Sequence, residues 1–164
     1  METFVAENQT RVDLWDEAFS AVQAPDVLDF AAFERQRTVI QNYIRQTELH
    51  EQRFVRMIDL LKSRLAALGP NHEMAQGAIE AVEKKYALQK PVMEPLMEAH
   101  KAYGATMIEM LDRLQREHGN WTTRDGNLVF EDDRTRTEFN RLVDILLRHE
   151  SEVNDLTDAL IERM

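Results

Sequence analysis

Apolar residues recur along this chain at alternating steps of three and four, the period of a helix with one buried face. Val12, Trp15, Phe19 and Val22 carry that spacing through a first helix over 4–23. Ala24-Pro25-Asp26 ends it, because proline disfavours helical geometry in the residue before it, and Asp26 is a good N-cap for the next helix. That second helix is expected over 27–68. Its seam reads Phe30, Phe33, Arg37, Ile40, Ile44, Thr47, Glu51, Phe54, Ile58, Leu61, Leu65, Leu68. Sustained this long, such a seam predicts coiled-coil-type pairing. Gly69 and Pro70 supply a helix stop.

A third helix is expected over 71–117, with the seam Ala75, Ile79, Val82, Tyr86, Gln89, Met93, Leu96, His100, Tyr103, Met107, Met110, Leu114. Pro91 and Pro95 fall inside it and each removes a backbone donor, yet the seam keeps its phase across both, which predicts one kinked helix rather than two. Asp125-Gly126 between β-prone residues predicts a hairpin over 121–130. A lone two-stranded ribbon is marginal, so Trp121, Val129 and Phe130 are expected to plug the end of the helices. Thr135-Arg136-Thr137-Glu138 matches a capping box, which places the start of a last helix near Thr135; it continues through Phe139, Leu142, Val143, Leu146, Val153, Leu156 and Leu160.

The expected fold is all-α: an elongated antiparallel four-helix bundle with two long central helices forming a protruding coiled-coil hairpin, plus a small β-hairpin between helices three and four. No repeat or linker divides the chain, so 1–164 reads as one domain. Short connections make neighbouring helices antiparallel. Pairing about Gly69-Pro70 sets residue i of helix two beside 139 − i of helix three, which puts Arg37 near Ala102. Pairing about the hairpin sets i of helix three beside 250 − i of helix four, which puts His100 near Glu150. Helix one accompanies helix two only to about residue 45. The arm tip, about 54–86, is then left with two helices alone. Phe54, Val55, Met57, Leu60, Leu61, Met74 and Ile79 make its apolar stripe wider than a two-stranded seam requires, and they form the candidate interaction surface. Burying Val55, Met57, Leu60 and Met74 is worth roughly 1.5–3 kcal/mol each, enough to drive association, and a second copy under two-fold symmetry is the simplest partner.

Composition narrows the classes. Few Gly and Pro (five and four) favour helix throughout, and the absence of Cys removes disulfides, thiolate metal sites and cysteine nucleophiles. It also fits a reducing, cytoplasmic setting. A net charge of −10 argues against nucleic acid and anionic membranes, and suits a protein partner with a basic or apolar surface. No apolar run is long enough for a membrane span. Phosphate-binding glycine loops, nucleophile elbows and His-Glu-x-x-His are missing, so no catalytic, cofactor or metal residues are assigned and the expectation is a non-enzyme.

One polar layer stands out inside the seams. Arg37, His100, His149 and Glu150 share a level by the pairing rules. They suggest a ligand pocket, or else a hydrogen-bonded layer that fixes helix register. The Glu-x-x-His pattern of di-iron bundles is absent at every histidine. The expected function is a scaffold or adaptor that self-associates through the arm. The alternatives are a small-ligand sensor or carrier using the polar layer, and a secretion-type chaperone or export regulator that holds a client on the arm.

Overall fold

A computed structural model describes residues 13–15, 17–18, 30–67, 73–124 and 127–163, with side-chain surroundings throughout except at residues 30–32, 54–55, 66 and 73–75. The described part is mostly helical with one small antiparallel sheet. Residues 13–15 and 17–18 belong to a helix, α1. It is followed by α2 (Phe30–Ala66), α3 (Glu73–Arg116), β1 (Trp121–Arg124), β2 (Asn127–Phe130) and α4 (Asp133–Ile161). The expected cap Asp26 and the stop at Gly69-Pro70 lie outside the described residues.

The two long helices form for the reasons their sequences give. α2 contains neither Gly nor Pro in 37 residues. α3 runs unbroken for 44 residues through both prolines, which sit exposed on its outer face. α2 packs along α3, and α4 packs along α3 on the far side. Every described seam position of α2 and α3 is at least partly buried. Phe33, Ile40, Tyr43, Tyr103, Leu111 and Leu114 form the main core cluster with Ala18 and Phe139. Met93, Leu96, Met97, Ala99 and Val153 form a second one, covered by Trp15, Leu156 and Leu160.

The ribbon pairs Trp121 with Phe130 and Arg124 with Asn127. It closes one end of the helices as expected. Trp121 donates its indole N–H to the Leu114 carbonyl at 2.8 Å and meets Phe33 edge-on, while Phe130 packs on Phe139 with ring centres 5.1 Å apart. Gly119 (φ 97°) supplies the left-handed residue that lets the chain leave α3 towards the ribbon.

Three positional expectations need correction. First, α4 begins at Asp133, not near Thr135: Asp132 in extended geometry is the N-cap, and its carboxylate accepts from the Thr135 backbone N–H at 2.8 Å. Thr135 is therefore a buried first-turn residue. Second, α3 sits further along α2 than a level start at the turn implies. Lys62 is ion-paired with Glu83, Tyr43 meets His100, and Arg37 meets Asp112 rather than Ala102. The start of α3 overhangs the end of α2 by more than a turn, so a rule that starts both helices level misplaces every partner. Third, Trp15 reaches Thr47 and His50, so α1 accompanies α2 beyond residue 45. By contrast, α3 and α4 keep the expected register. Arg113 faces Glu138, and Arg163 at the end of the chain reaches Leu88.

Candidate functional site

Two features bear on function: a buried layer of aromatic and imidazole groups, and an apolar groove where α4 gives out. The layer is built where α1, α2 and α3 meet. Thr47 and His50 lie one turn apart on α2, and His100 lies on the seam of α3 facing them. Trp15 of α1 stacks on His50 with ring centres 5.2 Å apart and an interplanar angle of 19°, and meets His100 edge-on at 4.9 Å. Its indole N–H donates to Thr47 Oγ1 at 3.1 Å, and the Thr47 hydroxyl in turn donates to the Tyr43 carbonyl. The Tyr43 hydroxyl is hydrogen-bonded to His100 Nδ1 at 2.5 Å. Tyr43 and His100 are 0% and 2% exposed, so this bond is made away from water.

Burial decides the charge state of both groups. Desolvation pushes the His100 imidazole down to about 4, with the neighbouring His50 adding to the shift. Burial, and then Tyr103, raise the Tyr43 phenol far above its ordinary range. Both stay uncharged at neutral pH. On the rim, Lys101 donates to Glu98 at 2.5 Å and to Glu51 at 3.0 Å, and these partners raise its pKa. The layer joins three helices by neutral hydrogen bonds and ring contacts, with one ion-pair network at its edge. A network of this kind fixes register.

The four residues of the expected polar layer do not assemble. His100 is buried between Tyr43 and Trp15. Arg37 lies near the other end of α2, where its guanidinium binds Asp112 at 2.6 Å and donates to Gln115 at 3.1 Å. Twelve residues of helix separate Asp112 from His100, on the order of 18 Å. Glu150 lies beside Tyr103 and, after burial, helps to raise that phenol. His149 is partly buried on α4 with Nδ1 3.7 Å from Glu152. The residues that do surround His100, namely Trp15, Tyr43 and His50, are not evident from the sequence alone. The one signal pointing there is the polar interruption of the α2 seam at Thr47 and Glu51. Among the described residues, no three His, Cys, Asp or Glu side chains are grouped so as to hold a metal ion.

The groove lies between α2 and α3 beyond the end of α4. It encloses about 240 Å³ and is lined by Met57, Ile58, Leu61, Val82, Lys85, Tyr86 and Gln89. Arg163 Nη1 donates to the Leu88 carbonyl at 3.3 Å, which marks how far α4 reaches, whereas α2 and α3 stay paired past it through Lys62 and Glu83. Of the expected interaction surface, Leu60 is 42% exposed, and Met57, Leu61 and Ile79 are partly buried. The side chains of Phe54, Val55 and Met74 lie outside the described part.

Among the described residues, no helix is long and apolar enough to cross a membrane. No protein-family model, curated protein or solved structure matches this chain.

Proposed function

We propose that the chain is a non-enzymatic scaffold or adaptor that works by self-association, with the outer part of the α2–α3 pair as its contact surface. On this reading the helices form a four-helix body from which α2 and α3 project as a coiled-coil-like arm, and the lack of cysteine suits a cytoplasmic setting.

The observation that carries it is the apolar groove next to Leu60. α4 covers α3 only to about Leu88, yet the outer halves of α2 and α3 keep large apolar side chains. Taking such a side chain out of water is worth roughly 1.5–3 kcal/mol. A two-helix pair buries only the seam between its members, so Leu60 and the rim of the groove gain from a further surface. A second copy supplies it at no cost in specificity, and two-fold pairing doubles each contact.

Light scattering coupled to gel filtration tests this. The wild-type chain is expected to elute with the mass of two copies at tens of micromolar. Leu60→Glu places a carboxylate in the contact and is expected to give a folded monomer with an unchanged far-ultraviolet spectrum. A wild-type chain that stays monomeric at that concentration removes the proposal.

A further inference from the structure

The exposed face of outer α2 has a definite chemistry. Arg56, Leu60 and Arg64 succeed one another at i, i+4 and i+8, so they form a single stripe, and all three are exposed. Residues 52–66 carry four bases and one acid, a net +3 within a chain of net −10. The last turns of α4 are the opposite. Residues 150–162 carry five acids and no base, and Asp155, Asp158 and Glu162 are all exposed there. That same end bears the two most exposed large apolar side chains among the described residues: Ile161, 57% exposed, and Leu88, 56% exposed, whose carbonyl receives Arg163. Cation–leucine–cation on one helix thus has an acidic, apolar counterpart on another.

These two surfaces do not meet within one copy, because α4 packs on α3 rather than on α2. They do meet between copies related by a two-fold axis. From the level of Leu88 to Glu73 the arm extends on the order of 22 Å. When two such arms lie side by side and antiparallel, the outer part of each lies against the foot of the other, where α4 ends. We propose that the Arg56–Leu60–Arg64 stripe of one copy docks on the end of α4 of a second copy, against Asp155, Asp158 and Ile161, and that the second copy returns the same contact. This inference rests on self-association through the arm and names the surface that receives it. Electrostatic complementarity here also offsets the repulsion between two chains of net −10.

Reciprocal charge reversal, read by sedimentation equilibrium, tests it. The arm variant Arg56→Glu/Arg64→Glu and the foot variant Asp155→Arg/Asp158→Arg each place like charges at both contacts of a homodimer. Each alone is expected to dimerise at least tenfold more weakly than wild type. Mixed in equal amounts, they place opposite charges at both contacts, and a one-to-one heterodimer is expected to return. All four positions are exposed, so the variants are expected to keep the wild-type far-ultraviolet spectrum. As a check that needs no variant, raising sodium chloride from about 0.05 to 1 M is expected to weaken the wild-type dimer at least tenfold through screening. Homodimers of wild-type strength in both variants, a mixture that stays monomeric, or a dimer indifferent to salt would each overturn the contact while leaving self-association standing. A monomeric wild type would instead remove self-association itself.

Discussion

The Tyr43 hydroxyl and His100 Nδ1 lie 2.5 Å apart at the centre of the α2–α3 contact, both shut off from water. This bond sets the offset between the two longest helices, since either group displaced by a turn would meet an apolar neighbour instead. Tyr43→Phe keeps the ring contact with His100 and removes only the hydroxyl. Losing a buried hydrogen bond of this kind costs about 1–3 kcal/mol. Urea denaturation is expected to show a lower midpoint with an unchanged slope; an unchanged midpoint would mean that the bond contributes nothing to the fold.

The same layer makes stability depend on pH in one direction. The folded pKa of His100 is about 4, below the value near 6.5 expected for an unfolded chain. A depressed histidine favours the folded state fully above the unfolded value. That contribution is lost as pH falls from about 6.5 towards 4, because the unfolded chain takes up the proton first. For so deeply buried a group the loss is on the order of 3 kcal/mol across that window. Denaturation midpoints measured between pH 8 and 4 are expected to fall steeply below about pH 6.5, and His100→Leu is expected to flatten the curve in that range, whatever it does to the midpoint at pH 8.

Much of this fold is legible in the period of apolar residues. The seams of α2 and α3 stay in phase, the single helix through Pro91 and Pro95 is implied by that phase, and Asp125-Gly126 announces the ribbon. The α3–α4 register is also legible, because the short ribbon fixes where the return begins. Axial offsets elsewhere are not. A seam specifies which face is buried but says little about where one helix stops along another. Between α2 and α3 the overhang moves Arg37 from Ala102 to Asp112. Along α1 the indole of Trp15 requires an acceptor, and Thr47 supplies it further up α2 than a tight turn implies. At the start of α4 two good caps compete. The extended backbone at Asp132 (φ −121°, ψ 147°) lets its carboxylate reach the Thr135 N–H. The expected polar layer fails for the first of these reasons: its members are assigned to one level by an offset that side-chain packing overrules.

Two glycines of α3 give opposite expectations for the same substitution. A methyl group on Gly77 would meet nothing within 4 Å, and alanine is favoured over glycine in a helix by about 1 kcal/mol. Gly77→Ala is therefore expected to raise the denaturation midpoint. At Gly104 the added methyl would lie 2.6 Å from Ile44 Cγ1 and 3.4 Å from Tyr43 Cδ1. Isoleucine in a helix is held to one preferred rotamer, so Ile44 cannot swing clear and the helices must part. Overpacking of this kind costs about 1–3 kcal/mol, more than the gain in helix propensity. Gly104→Ala is expected to destabilise, and adding Ile44→Ala is expected to recover part of the loss. Equal midpoints for the two alanine variants would show that α2 and α3 are not in close contact at Gly104.

Trp15 provides a reading of whether α1 is docked at Thr47. Its indole is held by a hydrogen bond to Thr47 Oγ1 and by ring contacts with His50 and His100. Thr47→Val keeps the branched shape but takes away the acceptor and leaves an indole N–H facing a methyl group, at a cost of about 1–3 kcal/mol. Because the change strikes the α1–α2 contact and leaves the Tyr43–His100 bond in place, that cost falls on the docking of α1 before it falls on the α2–α3 pair. In a Trp121→Phe background, where Trp15 is the sole indole, the Thr47→Val variant is expected to shift Trp15 emission to longer wavelength and to increase its quenching by acrylamide. The far-ultraviolet spectrum should change little. Emission identical to the parent would mean that the Trp15–Thr47 bond does not hold α1 in place, and a simultaneous loss of helix throughout would mean that α1 and the α2–α3 pair unfold as one unit.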